Sequence, residues 1–184
     1  MKKHLSFRHA LTAAAISLAA IASFAASAQA ATDTIYKYTK PRTGYFMAHP
    51  FAMVPDGHAP DYEINYAQGS LTMEVTGLGC FQAAVNLPNG ATITNLAATY
   101  SAQSDHLHFR LYRHKMGDGS ALKIADFTTT NMTGTRRNDD LPLAPLALLI
   151  NNNLYLYSFT VCFNNVVDYF YGAKITYTVT NAGD

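Results

Sequence analysis

Ten short runs after residue 30, and the spacing between them, constrain this chain more than any other feature. They begin with "TIYKYT" (34–39), "DYEINYA" (61–67), "SLTMEVTG" (70–77), "CFQAAVNL" (80–87) and "ATITNLAATY" (91–100). They continue with "HLHFRLYRH" (106–114), "ALKIADFTT" (121–129), "LALLI" (146–150), "LYLYSFTVCF" (154–163) and "GAKITYTVT" (172–180). Tyr, Thr, Val and Ile fill these runs, and a recurrence of about 8 to 12 residues predicts a sheet sandwich or barrel. Helix is disfavoured, because no window keeps apolar residues at three-and-four spacing without a proline, a glycine or a β-branched string breaking it. "PNG" (88–90), "GDG" (117–119) and "NNN" (151–153) supply turns, while Pro142 and Pro145 keep "LPLAPLALL" from becoming a helix. The polar segment 130–140, carrying "RRNDD", is predicted as an exposed loop. The expected architecture is all-β: one antiparallel β-sandwich spanning 31–184.

The first thirty residues read differently. Lys2, Lys3 and Arg8 precede the apolar run "ALTAAAISLAAIA" (10–22), and "SAQA" ends at Ala30. This is the pattern of a cleavable secretory signal, with cleavage expected near Ala30. No later segment approaches the roughly 20 apolar residues of a membrane-spanning helix, so the remainder is expected to be secreted or periplasmic, without membrane insertion. Of thirteen Lys and Arg, three lie in the signal, which leaves a slight acidic excess against twelve Asp and Glu. A nucleic-acid partner needs a basic face, and there is no surplus to build one. Two cysteines, Cys80 and Cys162, in a chain bound for an oxidising compartment are expected to form a disulfide.

From Cys80 onward the chain resembles a group of uncharacterised exported bacterial proteins. The likeness rests on the cysteine, the "V-x-L-P-x-G-A-x-I-T-x-L" pattern in "AVNLPNGATITNL", a late "Y-x-x-x-V-C" strand and the ending "FYGAKITYTVTNAGD". It covers about residue 80 to the C-terminus and leaves 31–79 unplaced. The resemblance implies a jelly-roll-like β-sandwich with paired cysteines at Cys80 and Cys162. It implies no activity and carries over no catalytic or binding residue. "DHLHFR" (105–110) departs from the group, which tends to have a small polar or acidic turn there.

That departure is the main candidate site. Alternate strand residues share a face, so His106, His108, Arg110, Tyr112 and His114 should stand together, opposite the apolar Leu107, Phe109 and Leu111. An H-x-H pair can chelate zinc or copper if a third ligand joins it: His114, His49, His58 or Asp105 could supply one, while the charge of Arg110 opposes a cation. The other reading is a solvated sheet face, and no cofactor is expected.

Aromatic excess gives the second candidate. Twelve Tyr and ten Phe with no Trp suggest a sugar-stacking surface at Tyr62 and Tyr66, with Tyr36 and Tyr38, although tyrosines also serve as cross-strand partners. No G-x-S-x-G, H-E-x-x-H or phosphate-binding loop occurs, and no acid pair stands out for glycoside hydrolysis. A motif-free sandwich is a common binding scaffold. The expectation is therefore an exported, non-catalytic binding or structural protein with a protein or glycan partner, its own copies included. A carbohydrate-binding module is the alternative, and a periplasmic zinc or copper binder a further one.

Overall fold

In the computed structural model, described over residues 37–57, 61–103, 107–130, 133–145 and 148–181, eleven strands form two antiparallel sheets. They are β1 (Lys37–Ala48), β2 (Val54–Pro55), β3 (Tyr62–Asn65), β4 (Ser70–Met73), β5 (Gly79–Ala84) and β6 (Thr92–Ser101). The others are β7 (His108–Lys115), β8 (Ala121–Thr128), β9 (Arg136–Asp140), β10 (Tyr155–Phe163) and β11 (Tyr169–Asn181). One sheet runs β3-β4-β11-β6-β9, with β1 also paired to β11; the other runs β2-β5-β10-β7-β8. Strands distant in sequence are thus neighbours in both sheets, in the jelly-roll-like arrangement expected. The described residues fall within one compact unit.

The core follows from the two-residue period. Phe81 on β5, Phe109 and Leu111 on β7, and Phe159 and Val161 on β10 point inward and are fully buried. They meet Leu71, Leu96, Tyr100, Phe170 and Ile175 of the opposite sheet. Phe109 sits at the centre, its ring centroid 5.2 Å from Tyr100, 6.0 Å from Phe170 and 6.3 Å from Phe159. Burying each such ring contributes about 1.5–3 kcal/mol.

Three details depart from the sequence reading. First, β1 continues past residue 39 to Ala48. Its register on β11 shifts between Lys37 and Arg42, around Pro41, which has no N–H to give a ladder. Second, "RRNDD" is a strand: β9 pairs with β6 from Ala97↔Asp140 to Ser101↔Arg136. Its charges suit a sheet edge, where they discourage further strand addition. One of them also serves the core, since the buried Tyr100 hydroxyl donates to Asp139 Oδ2 at 2.7 Å. Third, "LALLI" does not form a regular strand in its described part. Residues 148–150 lie beside the start of β6 through Ile93 N–H to Leu148 O (2.9 Å), Ile150 N–H to Ala91 O (2.8 Å) and an isolated bridge of Leu149 to Thr92.

Gly172 marks where β11 changes partners. Phe170 faces Leu71 of β4, and Ala173 faces Ala48 of β1. Between them the register on β6 shifts and Gly172 takes φ +140°. A Cβ there would also lie 3.3 Å from Ala48 O, so the irregular join needs glycine.

Candidate ligand-binding groove

The site is built by the outward-facing residues of the five-stranded sheet. Because directly paired residues share a face, the registers line up cross-strand rows. One row is Val54, Gln82, Thr160, Arg110 and Asp126. The next is Cys80, Cys162, His108 and Thr128, and on the other side come Ala84, Ser158, Tyr112 and Lys123. Small side chains on β5 and β10 form the floor, and the long side chains of β7 rise beside it as a wall. Two depressions result, each about 350 Å³: one over Cys80, Cys162, Arg110 and Asn164, the other over Gln82, Ala84, Ser158 and His114. A third of about 380 Å³ continues past Leu156 to Asn86 and Asn152. Both 350 Å³ depressions are open to solvent along the same strands, with Thr160 between them.

Cys80 and Cys162 are joined by a disulfide, with Cα atoms 4.0 Å apart on directly paired positions of β5 and β10. The expected bond therefore also lies in the groove floor.

The wall is held by a hydrogen-bonded chain. Arg110 Nη2 donates to His108 Nδ1 at 2.7 Å, and His108 Nε2 lies 2.5 Å from Asp126 Oδ1. A guanidinium can only donate, so this network puts the imidazole proton on Nε2, donating to the carboxylate. Lys123 Nζ donates to the other carboxylate oxygen. Burial pushes the Asp126 carboxyl up, but hydrogen bonds from Lys123 and His108 and their charges outweigh it and hold the group below the ordinary carboxylate range. Further along, the His114 ring nitrogen Nε2 bonds Ser158 Oγ at 2.9 Å, and the Tyr112 and His114 rings stand 5.6 Å apart.

The structure brings His108, Arg110, Tyr112 and His114 onto one face, opposite the buried Phe109 and Leu111. It does not bring His108 and His114 together as ligands. His108 and His114 are six strand residues apart, about 20 Å, and both ring nitrogens of His108 are engaged. His49 lies elsewhere, with Nδ1 accepting from Phe51 N–H at 3.3 Å. His106, Asp105 and His58 lie outside the described residues. Among the described residues, no three His, Cys, Asp or Glu side chains are placed to hold a metal ion.

Tyr62 and Tyr66 do not share a strand face. Tyr62 is on β3 with its ring edge-on to buried Phe81 (4.9 Å), a packing role. Tyr66 falls in the turn after β3, where Asn65 Oδ1 accepts from Gln68 N–H at 3.0 Å. Its ring is 75% exposed and lies 4.9 Å from Phe51, which is 4.3 Å from His49. Phe51 belongs to a short 3-10 turn, Pro50–Ala52, linking β1 to β2. Tyr36 and the side chain of Tyr38 lie outside the described residues.

Sequence reasoning missed Gln82, Ser158, Thr160, Asn164, Lys123 and Asp126. A signal existed for part of the set: a Cys80–Cys162 bond across adjacent antiparallel strands pairs Gln82 with Thr160 and Ala84 with Ser158.

No protein-family model matches the chain and no curated protein matches its sequence, so the resemblance of residues 80–184 to exported bacterial proteins rests on its motifs alone. Among solved structures, the chain is similar to a Podospora anserina GH26-CBM35 β-(1,4)-mannanase, at 11% identity, covering 78% of this chain and 29% of that one, with a TM-score of 0.43. It is also similar to CBM29_1, a family 29 carbohydrate binding module from Piromyces equi, at 10% identity, 74% and 90% coverage and a TM-score of 0.42. A third is the C-terminal family 22 carbohydrate binding module of Clostridium thermocellum Xyn10B, at 12% identity, 77% and 97% coverage and a TM-score of 0.42. At TM-scores below 0.5 these likenesses assign no ligand to this chain.

Proposed function

We propose that this is an exported, non-catalytic protein that binds an oligosaccharide along the outer face of its five-stranded sheet. The observation that carries the reading is the open groove itself, with a floor of small side chains beside a wall whose polar groups are fixed by their own hydrogen bonds. Small-molecule sites enclose their ligands. An open trough instead suits an extended chain, and hydroxyl-rich units match its alternation of hydrogen-bonding and apolar surface. Gln82, Ser158, Thr160 and His114 supply donors and acceptors, Tyr112 a ring, and Leu156 an apolar flank. The exposed Phe51 and Tyr66 rings offer a further stacking surface.

This ordering reverses the sequence-based preference, in which a structural or self-assembling role stood level with binding and the glycan module was the alternative. Self-association through β9, β2 or β8 is poorly supported by their chemistry; β1 and β3 are the remaining sheet edges. β9 is charged, β2 has only two residues and contains Pro55, and β8 is covered where Ala144 N–H donates to Ile124 O at 2.7 Å. The secretory signal remains a reading of residues 1–30.

Affinity electrophoresis through gels containing soluble xylan, glucomannan, β-glucan, galactan or polygalacturonate tests the proposal. The protein should be retarded by at least one, and Gln82→Ala/His114→Ala should abolish the retardation while leaving the near-UV circular dichroism unchanged. Retardation by none, or a variant as retarded as the parent, would refute it.

A further inference from the structure

The two ends of the groove differ in charge. At the β5–β10 disulfide end the depression holds one cation, Arg110, and neutral donors on Asn164 and Thr128 beside the exposed Leu78. Among the described residues, no carboxylate lines it. Two acids outside it are engaged: Asp126 by His108, Lys123 and Arg110 itself, and Asp56 by a partner of its own.

Arg110 is oriented but only partly satisfied. Of its five N–H groups, one on Nη2 is used on His108. Nη1 faces only the Cys162 sulfur at 3.9 Å, a weak acceptor. Nε is buried with no hydrogen-bond partner, its closest carboxylate oxygen being Asp126 Oδ1 at 3.6 Å. Asp126 forms ion pairs with both Lys123 and Arg110, so one carboxylate offsets two cations and the cluster keeps a net positive charge. The remaining N–H groups on Nη1 and Nη2, held in place by a neutral imidazole and with no acid among the described residues lining the cavity, are the arrangement that binds an oxyanion.

We infer that the disulfide end of the groove is an anion subsite in which Arg110, with Asn164 and Thr128, reads a carboxylate or sulfate ester on an acidic glycan. The inference rests on the groove being the glycan site and adds the class of glycan it selects. His108 and Asp126 are positioning residues: they fix the guanidinium plane and do not touch the anion.

The test compares polygalacturonate, the same polymer after carboxyl reduction, and dextran sulfate, with affinities read by electrophoresis and calorimetry. The parent should bind polygalacturonate or dextran sulfate, and whichever binds identifies the oxyanion as carboxylate or sulfate. For a carboxylate, affinity should fall at least tenfold on carboxyl reduction. Arg110→Gln should show the same tenfold loss on the charged polymer and none on a neutral one, and Arg110→Lys should lie between. Equal affinity for charged and reduced polymers, or Arg110→Gln binding like the parent, overturns the inference while leaving the groove reading intact. A separate arm follows the Arg110 Nε resonance during titration with inorganic sulfate. If no polysaccharide binds but that resonance shifts at millimolar sulfate, the anion subsite stands and the glycan reading fails; if neither responds, both fail.

Discussion

Replacing both cysteines, Cys80→Ala/Cys162→Ala, isolates what the disulfide contributes. The bond closes a loop of 82 residues, and the chain-entropy relation puts the unfolded-state constraint at about 4.5 kcal/mol at 25 °C. The folded state should hardly notice the loss. The ladder from Phe163↔Gly79 to Ser158↔Ala84 already holds the two positions opposite one another, so the cross-link repeats in the native state a constraint the backbone imposes. The expected result is an unchanged native amide spectrum and a stability loss of about 3–5 kcal/mol. With a urea dependence of roughly 2 kcal/mol per molar, the unfolding midpoint should drop by about 2 M. A loss below about 1 kcal/mol would refute the entropic argument. So would a spectrum disturbed along β5 and β10, which would show that the bond shapes the folded sheet.

Other expectations follow from the same structure. The Tyr100 hydroxyl is held un-ionised by burial first, then by its bond to Asp139 and that carboxylate's charge, against a smaller opposing pull from Arg137. Its raised value means that its contribution is complete below the ordinary tyrosine value of about 10 and is lost as pH rises beyond it. Ultraviolet titration should therefore show a tyrosine that ionises only as the protein unfolds, and Tyr100→Phe should remove that phase and cost about 1–2 kcal/mol. Asp126 runs the other way. Its depressed value means its contribution is complete above about pH 4 and is lost as pH falls through the folded value, so the stability measured by urea denaturation should decline only in stronger acid, and Asp126→Asn should remove that part of the decline. Gly172→Ala forces a side chain into positive φ against Ala48 O and should cost about 1–3 kcal/mol by thermal denaturation; an unchanged midpoint would show that the join between β4 and β1 is not strained.

How much of this was legible in the sequence depends on the reach of each signal. Strands and faces were legible because side-chain alternation is local: Phe109 and Leu111 announce the buried side of β7, and His108, Arg110 and Tyr112 the outer one. β9 was hidden because "RRNDD" carries the composition of a loop, and only its pairing with β6 and the Tyr100–Asp139 bond make it a strand. Alternation puts Tyr62 and Tyr66 on one face because it says nothing about where a strand stops; the Asn65 turn ends it between them. The groove floor needed strand order as well as strand identity. The disulfide discloses β5 beside β10, but nothing local places β7 on the other side of β10, and without that neighbour Ser158 and Thr160 are ordinary surface residues.

The most direct measurement is a chemical-shift map of the amides on titration with short xylo-, manno-, cello- and galacturono-oligosaccharides. The account predicts that a binding oligosaccharide perturbs residues on β5, β10 and β7 together, with Gln82, Ser158, Thr160 and Arg110 central. Perturbation confined to the outer face of the six-stranded sheet, or to His49, Phe51 and Tyr66 alone, would contradict it, as would a spectrum that none of them moves.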